Sequence, residues 1–140
     1  SALLQDPYFA TPPPKSTGPE YFHLDWLAAH LSGDEAPADV QCTLAELTAE
    51  SLARALEGQH LDVIRVCGGG ARNAWLMQRL NDRLEGMPVT TTEDIGVDPE
   101  WVEAWAFAWL AEQTLAGLAG NVPAVTGAAG ARVLGGIYPA

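Results

Sequence analysis

Three consecutive glycines, Gly68, Gly69 and Gly70, end the run Val63-Ile64-Arg65-Val66-Cys67 and stand just ahead of Asn73. Lacking a Cβ, they let the chain take positive φ and let another group come close to the backbone. Asn73 is a residue type that caps helices. The helix it would start, running to about Leu84, offers free N–H groups and a dipole that favour an anion. The chemistry such a turn could serve is the holding of a phosphate or a nucleotide. A tight strand-to-helix turn, in which glycine only lets the helix lie near its strand, fits the same residues. No Gly-Lys-Ser/Thr follows the glycines, which excludes a Walker P-loop. Gly68 and Gly70 fit the first two positions of Gly-x-Gly-x-x-Gly, but the third falls on Asn73, so a dinucleotide fingerprint is incomplete.

Few other residues carry a chemical signal. Glu103 is a carboxylate in the first turns of an otherwise apolar helix. It is either a favourable charge near the helix start or an acceptor facing a polar ligand. Cys42 and Cys67 make no disulfide framework, and Cys67, ending a buried strand, reads as a small hydrophobe. His23, His30 and His60 lack metal-ligand spacing among themselves or with the cysteines.

The elements that must position these groups are readable from periodicity. Val63, Ile64 and Val66 predict a strand buried on both faces. Leu76, Met77, Leu80 and Leu84 predict the helix after the glycines, closed by Gly86. Pro88-Val89-Thr90-Thr91-Thr92 predicts a second, shorter strand, so that the two form a parallel βαβ unit. Ahead of them, Ser16 or Thr17 with Pro19 predicts a helix start near Glu20, and a longer helix covers 38–57 with Val40, Leu44, Leu47, Leu52 and Leu56 in period. Behind them, Asp98-Pro99 predicts a helix N-terminus. That helix runs to about Leu118 and bears Trp101, Trp105 and Trp109 at four-residue steps. With Phe107, Leu110 and Leu115 on other sides it is apolar around much of its circumference and predicts a sandwiched core helix. Residues 1–19 hold half of the ten prolines and predict an extended lead-in; 20–140 predict an α-α-β-α-β-α core and a glycine-rich tail. In that tail Val133-Leu134-Gly135-Gly136-Ile137 fits an edge strand or an apolar strap.

The chain has 140 residues, 48% of them hydrophobic, and a formal net charge of −11. One domain with a real core is expected. No uninterrupted apolar run is long enough for a membrane span. Clustered Lys and Arg are missing, which excludes a nucleic-acid surface. A bound polyphosphate would therefore rely on backbone N–H groups, a metal ion or a partner segment. The first residues lack the layout of a signal peptide, and a reducing cytoplasm is the simplest setting.

In order along the chain stand Asp6-Pro7-Tyr8-Phe9, Pro14-Lys15-Ser16-Thr17-Gly18, Cys67-Gly68-Gly69-Gly70-Ala71-Arg72-Asn73, the Glu103-Ala104-Trp105-Ala106-Phe107-Ala108-Trp109-Leu110-Ala111 helix, Gly120-Asn121-Val122-Pro123 and Val125-Thr126-Gly127-Ala128. This order of motifs resembles the C-terminal part of the anhydro-N-acetylmuramic acid kinase family. One departure is visible: the family shows Gly-Arg-Glu where this chain has Gly18-Pro19-Glu20.

The resemblance implies a partial ribonuclease-H-like lobe of the sugar-kinase and actin-like ATPase superfamily, α/β and helix-rich with two or three strands. It implies ATP and Mg²⁺, and a reaction that opens the 1,6-anhydro ring of anhydro-N-acetylmuramic acid with water and phosphorylates O6, in cell-wall recycling. By the same resemblance Gly68, Gly69 and Gly70 line the nucleotide phosphates and ribose, Asn73 stands near the adenosine, and Glu103 reaches the sugar. The family's phosphate loop and its water-activating carboxylate have no counterpart here, so no catalytic residue is expected in this chain. The missing N-terminal lobe is the expected partner, with self-association as the alternative use of uncovered faces. The competing readings are a non-catalytic nucleotide-binding module and a different enzyme of the superfamily. A Rossmann oxidoreductase lacks the acidic residue expected after a second strand.

Overall fold

The computed structural model describes residues 2–138. At its centre are two three-residue strands, β1 (Ile64–Val66) and β2 (Val89–Thr91). They pair in parallel with Ile64 opposite Val89, Arg65 opposite Thr90 and Val66 opposite Thr91. The connection is α4 (Ala74–Arg83), entered through a 3₁₀ turn over Gly69–Arg72. The helix therefore starts one turn after the glycines rather than directly on them. Asn73 caps it: its side-chain oxygen accepts the Leu76 N–H at 3.1 Å.

One face of this pair is the core. Leu80 of α4, Leu84 at its C-terminal cap and Val89 of β2 are buried with Ala49 of the long helix α3 (Pro37–Leu56), and Ile64, Val66 and Leu76 lean on them. Strand alternation sends Arg65 and Thr90 to the other face. There Arg65 Nε donates to Asp94 at 2.7 Å and the Thr90 hydroxyl donates to the other oxygen of Asp94 at 3.0 Å. Asp94 lies in the 3₁₀ turn Thr92–Ile95 that follows β2. The expectation of a strand buried on both faces is thus corrected: β1 is half-buried at Ile64 and Val66 and exposed at Arg65. Cys67, at its end, is also exposed rather than a core hydrophobe.

An ion-pair ladder backs the α3–α4 contact. Arg83 reaches Glu46 at 2.6 Å and also meets Glu50, while Arg79 bridges Glu46 and, at 2.8 Å, Asp82.

The lead-in is only partly extended. Residues 2–10 coil into a 3₁₀ turn (Ala2–Gln5) and the single-turn α1 (Pro7–Ala10), and 11–18 are irregular. Asp6 organises this end. Its carboxylate accepts the Tyr8 N–H at 2.9 Å, the Tyr21 hydroxyl at 2.8 Å and the Trp26 indole N–H at 2.8 Å. Burial alone would raise its pKa, but these donors outweigh that and hold it below the ordinary value. Around it Tyr8, Phe9, Phe22 and Trp26 stack edge to face and face to face. The next helix, α2 (Leu24–Ala28), begins four residues beyond the predicted start. Its cap is the His23 imidazole, which accepts from the Asp25 and Trp26 N–H groups, and not Ser16 or Thr17.

The tryptophan helix is α5 (Val102–Leu115). It starts at Val102 because Asp98 makes a separate turn first, accepting the Glu100 N–H on its side chain and the Trp101 N–H on its carbonyl. Trp101, Trp105 and Trp109 are 59%, 57% and 50% exposed, so the sandwiched core helix is corrected to one whose apolar sides face outward. The tail contains the single-turn α6 (Pro123–Thr126) and no strand among its described residues. It is a strap: Asn121 accepts the Arg132 N–H at 2.7 Å and donates to the Gly130 carbonyl, and the Thr114 hydroxyl meets the Leu134 carbonyl.

Candidate functional site

The β1 strand delivers the three glycines at its carboxyl end, where ligands of open α/β sheets bind. Gly68 has φ 75° and ψ −174°, a conformation that strongly favours glycine. Its N–H donates to the Pro99 carbonyl at 2.8 Å, which fixes the turn against the segment leading into α5. The Gly68 and Gly70 carbonyls accept the Ala71 and Asn73 N–H groups, closing the 3₁₀ turn. The N–H groups of Gly69 and Gly70 have no acceptor among the described residues. A Cβ built on Gly68 or Gly69 meets nothing within 4 Å, and one on Gly70 meets only Leu76 Cδ2 at 3.6 Å. The turn is therefore an open backbone ledge with two unused donors, a geometry suited to anionic oxygens.

Around that ledge the structure brings together three of the predicted elements. Asn73 follows immediately and is committed to capping through its oxygen, leaving its amide N–H₂ unengaged among the described residues. The Gly68–Pro99 bond and an ion pair of 2.8 Å between Arg72 and Glu100 hold the start of α5 beside the turn. Glu103 lies one helical turn beyond Pro99, exposed and in the first turn of α5. The glycine turn, Asn73 and the segment leading into α5 thus adjoin, and Glu103 is exposed further along, on α5 itself.

Two clefts of this chain are lined by none of the three glycines. Asn73 borders one of about 330 Å³ with Cys42, Trp75 and Leu76. A larger one, about 600 Å³, is lined by Tyr8, Phe22, Trp26, Leu44 and Leu47, away from the glycines. An open ledge without walls can orient a phosphate but cannot exclude water from it.

Three contacts of the fold escape sequence reasoning, two at the glycine turn and one at the aromatic cluster. The Gly68–Pro99 and Arg72–Glu100 contacts join residues about thirty apart, and no local pattern announces them. The Lys15 ammonium donates to the Tyr8 and Phe9 carbonyls at 3.0 and 3.4 Å and sits 4.6 Å from the Tyr8 ring. It is a latch on the aromatic cluster. Among the described residues no group of three or more His, Cys, Asp and Glu side chains is placed to hold a metal ion. No helix of the described residues is long and apolar enough to cross a membrane.

A helix-rich α/β chain with a parallel strand pair and a glycine ledge at the strand end is consistent with a sugar-kinase class of protein. The model of one such family, anhydro-N-acetylmuramic acid kinase, matches residues 1–140. The anhydro-N-acetylmuramic acid kinase of Nitrosospira multiformis is 54% identical over 140 residues, covering 99% of this chain and 38% of the relative. That of Chromohalobacter salexigens is 55% identical, covering 97% and 38%, and that of Coxiella burnetii 52% identical, covering 97% and 37%. The chain belongs to the anhydro-N-acetylmuramic acid kinase family, and it spans about 38% of the length of these relatives.

Proposed function

We propose that this chain is the C-terminal, nucleotide-holding part of a kinase acting on anhydro-N-acetylmuramic acid, built as a partial ribonuclease-H-like lobe. The observation that carries the reading is the open ledge of Gly68, Gly69 and Gly70, with two N–H donors that have no acceptor among the described residues, beside a capped helix start. The Gly69 and Gly70 N–H groups receive phosphate oxygens of ATP. The unengaged Asn73 amide faces the nucleoside, and Glu103 accepts hydrogen bonds from the sugar hydroxyls. Mg²⁺ arrives on the nucleotide phosphates, since it keeps much of its water and needs few protein ligands. In the complete enzyme water opens the 1,6-anhydro bridge, the freed O6 takes the γ-phosphoryl group and ADP leaves. Such transfer depends on positioning and charge stabilisation from both sides of the nucleotide. The ledge provides one side, and the remaining length of the relatives corresponds to the other. The exposed apolar sides of α5 are the surface that this remaining part covers; a second copy of the chain is the alternative occupant.

Titration calorimetry of the 140-residue chain with ATP, ADP and the anhydro sugar tests the reading, together with a turnover assay. Nucleotide binding without turnover is expected. No nucleotide binding, or turnover by this chain alone, overturns it. Nucleotide binding retained when the rest of the kinase is added, with no turnover even then, favours a non-catalytic nucleotide-binding module.

A further inference from the structure

We propose that Arg72 is a polyphosphate-binding residue, and that its contact with Glu100 is the resting partner it leaves when a nucleotide arrives. The inference rests on the nucleotide reading above and names the cation that the ledge otherwise lacks. The chain carries seven Lys and Arg residues against 18 acids. Arg54, Arg79 and Arg83 are tied to carboxylates of α3 and α4, and Arg65 to Asp94 on the far face of the sheet. Lys15 is latched onto the Tyr8 and Phe9 carbonyls, and Arg132 donates to the Ala131 carbonyl. Arg72 alone belongs to the same 3₁₀ turn as Gly69 and Gly70.

Its present partner is a weak holder. The Arg72 and Glu100 side chains are 67% and 51% exposed, and Arg72 is the most exposed of the arginines paired to a carboxylate. An exposed ion pair of this kind contributes little, because water screens it and two long side chains must be ordered to make it. A nucleoside polyphosphate bound on the ledge brings several negative charges to the same turn. A guanidinium forms paired, charge-assisted hydrogen bonds to phosphate. The exchange of one carboxylate for a polyphosphate is therefore downhill, and it leaves Glu100 solvated at the edge of the site. In a chain of net charge −11 such a parked cation also keeps the approach to the ledge from being wholly repulsive.

The test is calorimetry on the whole 140-residue chain with ATP, ADP and adenosine, for the unchanged protein and for Arg72→Gln, Arg72→Lys and Glu100→Gln. Arg72→Gln is expected to weaken ATP roughly tenfold, the order of one lost charge-assisted hydrogen bond, and to leave adenosine unchanged. Arg72→Lys recovers part of the loss. Glu100→Gln tightens ATP, because it frees the guanidinium and removes a repelling charge. Equal ATP affinity in Arg72→Gln overturns the inference and leaves the nucleotide reading standing. Parallel losses for ATP and adenosine, or weaker ATP binding in Glu100→Gln, make the pair structural and overturn it too. Failure of the unchanged chain to bind ATP removes the nucleotide reading itself.

Discussion

Replacing Gly68 and Gly69 separately by alanine divides the demands of the fold from those of the ligand. At Gly68 no atom lies within 4 Å of the added methyl, so nothing clashes, but the backbone is held at φ 75°. Alanine there must carry the conformational strain alone, about 1–3 kcal/mol. At Gly69 the space is equally empty and φ is not positive, so alanine is accommodated without strain. It even restricts the unfolded chain, which shifts stability by up to about 1 kcal/mol in the favourable direction. The same methyl, however, stands on the open ledge beside the Gly69 N–H. Loss of one N–H to phosphate bond is worth roughly tenfold in affinity. Urea denaturation followed by circular dichroism gives the stabilities, and calorimetry with ATP gives the affinities. Gly68→Ala is expected to be less stable and Gly69→Ala as stable as the unchanged chain but poorer at binding. If Gly69→Ala loses as much stability as Gly68→Ala, the ledge is not open; if it binds ATP undiminished, the ledge is not where the phosphates rest.

Two further outcomes follow from the core and from the acidic loop. Leu80→Ala, at a side chain only 2% exposed in a core of few residues, is expected to cost about 2–5 kcal/mol, against about 5–15 kcal/mol for a typical domain; a change in urea midpoint equivalent to less than 1 kcal/mol, would show that Leu80 does not anchor α4. Glu35 accepts the Ser32 N–H first of all, then the Ser32 hydroxyl and the Gly33 N–H, and these hold its pKa at about 2 instead of 4.5. Because the folded value is the lower one, the stability it lends is present above pH 4.5 and is lost as pH falls towards 2. NMR titration of the Glu35 carboxyl carbon checks it, with Ser32→Ala moving the midpoint upward; a midpoint near 4.5 in the unchanged chain speaks against the contact.

Local sequence carried some of this structure and long-range pairing carried the rest. Asn73 as a cap, α4 and the parallel partner of β1 were readable because each depends on a few neighbouring residues and a period. The start of α2 was misplaced because Ser16, Thr17 and Pro19 mimic a helix N-terminus, while the cap is a histidine, a residue type with little capping signal. The tryptophans of α5 were expected inside because periodicity reports how apolar a surface is and not what covers it. At the candidate site, the glycine turn and the Asn73 cap were readable from composition. Arg72 stood in the same motif, but its partner Glu100 and the Gly68–Pro99 bond arise only when the fold brings the two segments together.

The Arg65–Asp94–Thr90 clasp sets a minimum length for any dissection of this sheet. Both strands are complete at Thr91, yet the carboxylate that neutralises the guanidinium on their outer side comes three positions later. A piece cut immediately after β2 would keep every backbone rung and still leave Arg65 without its carboxylate and Thr90 with only its longer bond to the Thr91 carbonyl. Fragment boundaries drawn from strand ends alone would therefore fall short, and a βαβ piece that keeps its outer-face ion pair extends through Asp94.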